Sequence, residues 1–345
     1  MELVKEITVE EALKKGFTFV DVRTVEEFEE FHIPDALNIP LFTKEEREKI
    51  SKIYYSKGEK EARLYALELV GPKLHRIVRE IKEIKDRHKN VVIYCWRGGM
   101  RSLSVAAICN VAGVHVSRLH GGYRAFRQYI LRRLEEICQK VNLVVLYGPT
   151  GVGKTRILRK LKEEGCPVID LEGLAGHRGS VFGGIGLEQP SQKMFDSLLW
   201  LELEKLRGSP YILIEGESKK IGRLFIPEPF WKAMEKGRKI QITMPLIERV
   251  KISMEDYGVN EFPPETYLEA LERIRKILGD ERYRKLRELI KAKSYKEAVK
   301  ELMVNYYDKL YSRSIPEVEK TIEARDIDDA IRKLKSVLNN QVLSS

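Results

Sequence analysis

The sequence predicts an α/β protein: two successive, mostly parallel sheets followed by a helical C-terminal extension. Three observations carry this. Short apolar runs at residues 20–23, 91–94, 143–147 and 211–215 alternate with longer charged stretches whose apolar residues recur at helical spacing. The runs at 91–94 and 143–147 each lead through a glycine-containing turn into a helical pattern, the order that builds a parallel sheet. From about Pro263 the pattern is helical and charged to the end. A chain of 345 residues has room for two or three cores. Boundaries are expected at 1–138, 139–262 and 263–345, the last segment packed on the second.

In chain order, Val20-Asp21-Val22-Arg23 is an apolar strand ending in a charged pair, and residues 45–87 are charged with helical spacing. Val91-Val92-Ile93-Tyr94 is a second strand, and residues 102–111 form a helix that Gly113 stops. Residues 123–141 read as one charged helix, so the chain leaves the first domain through a helix rather than a tether. Leu143–Tyr147 opens the second sheet, and residues 156–164 form its first helix. Pro167-Val168-Ile169-Asp170 and Tyr211-Ile212-Leu213-Ile214-Glu215 are further strands, each ending in an acid. Ser294-Tyr295-Lys296-Glu297 reads as a capping box.

Hydrophobic content of 43% and charged content of 33% are those of a soluble protein. No stretch approaches the ~20 apolar residues that span a bilayer. The N-terminus has no basic segment leading into an apolar one, so no membrane partner and a cytoplasmic location are expected. Cys95, Cys109, Cys138 and Cys166 lie far apart, without zinc spacing or a disulfide framework. The net charge is +10, and residues 51–140 carry 19 basic against 8 acidic side chains. That excess suits a polyanion such as nucleic acid. The alternative is a Lys- and Glu-rich surface of a heat-adapted protein.

Cys95-Trp96-Arg97-Gly98-Gly99-Met100-Arg101-Ser102 follows a strand and opens a helix. Loop amides and a helix N-terminus make an anion cradle, in which Cys95 is expected to act as a thiolate nucleophile with Arg97 and Arg101 adding charge. Gly98 and Gly99 permit the turn. Trp96 suits stacking on a base, or packing. The other three cysteines have no charged cradle; Cys109 lies on an apolar helix face.

Gly148-Pro149-Thr150-Gly151-Val152-Gly153-Lys154-Thr155 matches the G-x-x-x-x-G-K-[ST] phosphate loop between a strand and a helix. Amides around Gly151 and Gly153 would hold a diphosphate, Lys154 would add a point charge, and the Thr155 hydroxyl would reach Mg²⁺. Asp170 and Glu215, at strand ends, are candidates for the Mg²⁺ shell and for substrate contact; either also reads as a solvated carboxylate. His177 and Arg178, in a glycine-rich loop, are candidate substrate contacts or structural groups. Tyrosines interleaved with Lys and Arg at 282–284, 306–307 and 311–313 suit RNA backbone or helix packing.

Asp21-Val22-Arg23, Glu26-Glu27-Phe28, His32-Ile33-Pro34-Asp35-Ala36-Leu37-Asn38-Ile39-Pro40 and Leu119-His120-Gly121-Gly122-Tyr123-Arg124-Ala125-Phe126 resemble the two signatures of the rhodanese family, in which the cysteine carries a persulfide. One departure is that Arg101 lies six places after Cys95 rather than five, the spacing of cysteine-dependent phosphatases. It suits a phosphorus-bearing ligand. A rhodanese-like domain followed by a P-loop NTPase-like domain, with the runs at 170–183, 189–192 and 215–222, is similar to the tRNA 2-selenouridine synthase family over nearly the whole chain. That resemblance implies a transferase acting on wobble 2-thiouridine in tRNAs for Lys, Glu and Gln. Sulfur is first geranylated from geranyl diphosphate; the S-geranyl group is then replaced by selenium from selenophosphate, whose supply enzyme is a natural partner. The competing readings are an ATP-dependent persulfide sulfurtransferase acting on RNA, a phosphatase using Cys95 and Arg101, and a non-catalytic RNA-binding module.

Overall fold

The computed structural model describes residues 3–257, 259 and 261–342, with the backbone alone for 312–314 and 340–342. The chain forms two compact units, Met1–Arg133 with Asp196–Trp200, and Leu134–Phe195 with Leu201–Ser345.

The first unit is built on five parallel strands: β1 (Glu6–Ile7), β2 (Thr18–Asp21), β3 (Leu37–Asn38), β4 (Val91–Tyr94) and β5 (Ser117–Leu119), in the order β1-β5-β4-β2-β3. β4 is interior and all four of its residues are buried, which is why it reads as an unbroken apolar run. Residues 45–87 form three helices, Lys44–Lys57, Glu59–Val70 and Leu74–Arg87. They break at Gly58, where φ is +90°, and at Gly71-Pro72. The helix expected at 102–111 begins two residues earlier, at Met100, and Gly113 follows its end. β2 ends two residues sooner than its apolar run, because the chain turns at Arg23. The Arg23 N–H donates to Asp21 Oδ1 at 2.9 Å, and its guanidinium folds back on the same carboxylate at 2.7 and 2.9 Å. This pair is wholly buried. Arg23 also donates to the Phe31 carbonyl and lies 4.9 and 5.2 Å from the centres of the Phe31 and Tyr123 rings. The register Asp21↔Tyr94 brings this buried pair beside the end of β4, where Cys95 follows.

The second unit has a four-stranded parallel sheet of β6 (Leu143–Tyr147), β7 (Ile212–Glu215), β10 (Arg238–Thr243) and β11 (Lys320–Glu323), ordered β11-β10-β6-β7. A short antiparallel hairpin, β8 (Lys220–Ile221) and β9 (Leu224–Phe225), follows β7. Two expectations are corrected. The C-terminal segment is not helical throughout: β11 is an edge strand with only Ile322 buried, too polar to stand out from its helical neighbours. Residues 167–170 make only one bridge, Val168↔Leu213, because Asp170 turns out to cap the helix Leu171–Ala175. The final helix Ile327–Val342 packs on Lys154–Glu163, sharing Leu158, Leu161 and Leu334 in one core.

Helices Pro264–Glu272, Asp280–Lys291 and Tyr295–Leu302, continued by a wide turn at Met303–Tyr307, enclose a separate core of Tyr267, Leu271, Leu286, Tyr295 and Leu302. The capping box at Ser294 does not form. The chain enters from left-handed Lys293, and Ser294 has ψ +59° rather than the extended value that swings Oγ over the helix. Among the described residues no helix is long and apolar enough to cross a membrane. Burial pushes the Cys109 and Cys138 thiols up to about 12, so neither is a nucleophile at neutral pH.

Asp21→Ala leaves the Arg23 guanidinium buried and unpaired, and should lower unfolding free energy by about 3–5 kcal/mol in urea titrations. A loss under about 1 kcal/mol, the scale of an exposed pair, contradicts the role given to this contact.

Candidate active site

Cys95 lies immediately after β4 and is almost fully buried. The turn beyond it is held from below by a second turn. Tyr123 N–H donates to Cys95 O and Arg124 N–H to Trp96 O, both at 2.9 Å, and Arg118 Nη1 donates to Gly98 O at 3.1 Å. Gly98 has φ +63°, and a Cβ on Gly122 would overlap Cys95 O and Gly98 N, so these two glycines let the turns meet. The N–H groups of Arg97, Gly98, Gly99 and Met100 find no acceptor among the described residues, and Met100 opens a helix. Four consecutive free donors at a helix start are an anion cradle. The Cys95 thiol is 3.3 Å from the Ser102 hydroxyl, itself fully buried.

Sequence reasoning paired Arg101 with this cradle. The structure instead engages Arg101 with Glu27, at 2.7 Å. Burial alone would raise Glu27, but the bond and charge of Arg101 hold it below the ordinary carboxylate range. Arg97 is exposed, and so is Arg124, which sequence reasoning passed over. The two lie on the joined turns without an ion-pair partner among the described residues. Trp96 is part of an aromatic stack, its ring 5.6 Å from Tyr123 at 18° and 5.5 Å from Phe31.

The second unit's phosphate loop joins β6 to the helix Lys154–Glu163. Gly151 and Gly153 have φ of +84° and +71°. A Cβ on Gly148 would strike Ile242 O at 2.6 Å, and one on Gly151 would strike Arg249 O and Met303 Cε at 2.6 Å. The N–H groups of Gly151, Gly153, Lys154 and Thr155 are without acceptors among the described residues. Lys154 Nζ rests on the Gly148 carbonyl at 3.3 Å. Arg249, absent from the sequence-derived set, donates to Thr150 O at 2.9 Å while Asp308 holds its guanidinium, fixing the loop from outside.

Three carboxylates meet beside this loop. Oxygens of Glu172, Glu215 and Glu217 lie within 4.8 Å of one another, and the Thr155 hydroxyl donates to Glu172 at 2.7 Å. Glu215 is fully buried, and its Oε1 has no hydrogen-bond partner among the described residues. Burial first, then the neighbouring acids, raises all three: Glu215 well above its ordinary value, Glu217 to about 7, and Glu172 upward. Hard oxygen donors with an orphaned buried oxygen fit a Mg²⁺-like cation. Asp170 is not in this group. It caps Gly173 N–H at 2.7 Å and pairs with Arg159 at 2.7 Å. The signal for Glu217 was legible, since it lies two residues past Glu215, the spacing that returns to the same face of an extended chain.

His177 and Arg178 lie in the loop after the helix Leu171–Ala175. His177 Nδ1 accepts the Gly179 N–H at 3.1 Å, and burial with the charges of Arg178 and Arg273 holds the imidazole below its ordinary pKa. Arg178 donates to Ile185 O at 3.0 Å and lies 5.6 Å from the Tyr257 ring. Both brace a loop whose Gly179 abuts the Glu217 carboxylate. Tyr283, Tyr306 and Tyr307 make packing contacts; Ser312 and Arg313 lie outside the described side chains. Next to the phosphate loop is a cavity whose surface is mostly carbon, lined by Phe182, Val259, Leu302 and Met303 together with Thr150, Ser253 and several tyrosines.

Fold and site together define a two-unit α/β protein: a rhodanese-like cysteine loop, then a phosphate loop beside a cluster of three carboxylates. Residues 7–129 match the rhodanese-like domain, and residues 141–341 match the tRNA 2-selenouridine synthase AAA domain. The chain is 37% identical to the tRNA 2-selenouridine synthase of Bdellovibrio bacteriovorus, over 74% of this chain and 69% of that one. It is 32% identical to that of Hydrogenovibrio crunogenus, over 95% and 97%. A solved N-terminal domain of a putative ATP/GTP binding protein from Clostridium difficile 630 is 42% identical over 37% of this chain and 99% of its own, with a TM-score of 0.36. The chain belongs to the tRNA 2-selenouridine synthase family.

Glu217 titrates near 7 when folded, against 4.5 ordinarily, so between those values the folded state binds the extra proton. Stability of the cation-free protein should therefore fall as pH rises through that window, and Mg²⁺ should restore it above pH ~7. Thermal melting with and without Mg²⁺ measures both, and Glu217→Gln should make the fall with pH shallower, Glu215 and Glu172 keeping their share of it. Melting above pH ~7 that ignores Mg²⁺ counts against the cation site.

Proposed function

We propose that this chain is a tRNA-modifying transferase that converts wobble 2-thiouridine to 2-selenouridine by geranylation and then selenium exchange. The supporting relatives are named for 2-selenouridine synthesis. The observation that carries the geranyl step is the apolar cavity at the phosphate loop. An isoprenyl diphosphate is an anionic head on an apolar tail, and these two features are adjacent here.

In the first step the base sulfur attacks geranyl C1. The C1–O bond breaks, diphosphate leaves with the bonding pair, and the base proton passes to solvent. The amides of Gly151, Gly153 and Lys154, with the Lys154 ammonium, hold charge that grows on the departing diphosphate. Mg²⁺ held by Thr155, Glu172, Glu215 and Glu217 would supply further charge neutralisation. In the second step selenium of selenophosphate attacks C2 of the base, and the C2–S bond breaks to release geranylthiol. Water then cleaves the Se–P bond and frees phosphate. The donors of Arg97–Met100, flanked by Arg97 and Arg124, suit the phosphoryl group, with the Cys95 thiol at their edge. The basic excess of residues 51–140 suits the tRNA, of the Lys, Glu and Gln type, and a selenophosphate-making enzyme is the natural supplier.

Mass spectrometry of wobble nucleosides from a deletion strain, rescued with each variant, tests the assignment. Lys154→Ala should leave 2-thiouridine without geranyl, and Cys95→Ala should accumulate S-geranylated or unselenated 2-thiouridine. Full selenouridine with both variants sinks these roles, and ATP turnover without geranyl diphosphate consumption favours the persulfide-transfer reading.

A further inference from the structure

The cavity has a direction. Tyr295, Ala298, Val299, Leu302 and Met303 all line it, and their spacing of three and four residues places them on one face of a helix. Met303 is the end at the phosphate loop, since a Cβ on Gly151 would strike its Cε at 2.6 Å. Tyr295 is the other end, where its ring meets Tyr267 with centroids 5.5 Å apart at 57°. Both rings are buried, at 6% exposure, so they form a wall and not a mouth. Eight residues at about 1.5 Å rise put Tyr295 roughly 12 Å from Met303 along the helix.

We infer that Tyr295, backed by Tyr267, is a chain-length ruler for the isoprenyl group, an inference that rests on the prenyl diphosphate reading above. An extended chain advances about 1.2 Å per bond. The seven main-chain bonds of a ten-carbon isoprenyl chain span roughly 8–9 Å by that advance and stop short of the Tyr295 ring. The eleven of a fifteen-carbon chain span roughly 13 Å and meet it. Ala298, one turn nearer the loop, is the small residue that leaves the bore open.

The test compares kcat/KM of the full chain for dimethylallyl, geranyl and farnesyl diphosphates, with a 2-thiouridine anticodon stem-loop as acceptor. The unmodified protein should prefer geranyl to farnesyl. Tyr295→Ala should raise the farnesyl-to-geranyl ratio at least about tenfold, the discrimination that a pocket makes by size alone. Ala298→Phe should instead depress geranyl relative to dimethylallyl. Thermal melting confirms folding, and Tyr295→Leu replaces a variant that does not fold. Geranyl turnover with the ratio unchanged in a folded Tyr295 variant overturns the ruler alone. No turnover of any of the three diphosphates by the unmodified protein overturns the geranylation reading as well.

Discussion

Three carboxylates held within 4.8 Å, one of them fully buried, are the constraint around which the second unit is organised. Like charges so close, with little water to screen them, repel strongly, and the site answers by keeping them partly protonated. A divalent cation answers the same repulsion in another way. The elements that deliver the three acids are different: the end of β7 for Glu215, the strand's continuation for Glu217, and the short helix capped by Asp170 for Glu172. The phosphate loop supplies the fourth oxygen, from Thr155. The carboxylate cluster and the phosphate loop thus share one wall.

Close backbone approach is the second theme, and glycine is its instrument in each unit. In the second, Gly151 admits Met303 and Arg249 to the outer side of the phosphate loop, so the loop is braced by the helical layer as well as by its own sheet. In the first, Gly122 lets the turn at 121–124 reach the cysteine turn and hold it through two backbone bonds. Both loops end with several N–H groups free to take an anion and a helix beginning beneath them. They differ in how their neighbouring charges are spent. Arg101 is committed to Glu27, leaving Arg97 and Arg124 exposed beside Cys95, whereas Lys154 stays over the loop it serves.

The strands, the two loops and the helix starts were legible in the sequence because each is local. An interior parallel strand is an apolar run, and a phosphate loop is a spacing of glycines before a lysine. Cys95, Gly148, Gly151, Gly153, Lys154 and Thr155 could be placed on that basis alone. The structure adds most where a local pattern meets a distant partner. Asp170 has the look of a strand-end cation ligand but is taken by Arg159 and a helix start. Ser294 has the capping-box pattern without the backbone angle that would use it. β11 reads as part of a helical tail because an edge strand needs only one buried residue.

The sequence by itself determined the fold class, the pair of loops and the family resemblance, since these depend on residues adjacent in the chain. Only the tertiary structure decided which acids meet. Glu172 and Glu215 are 43 positions apart, and nothing in either neighbourhood encodes their proximity. The same is true of the apolar cavity, whose walls run from Thr150 to Tyr307. A cavity is a property of how helices pack, and no single segment contains it.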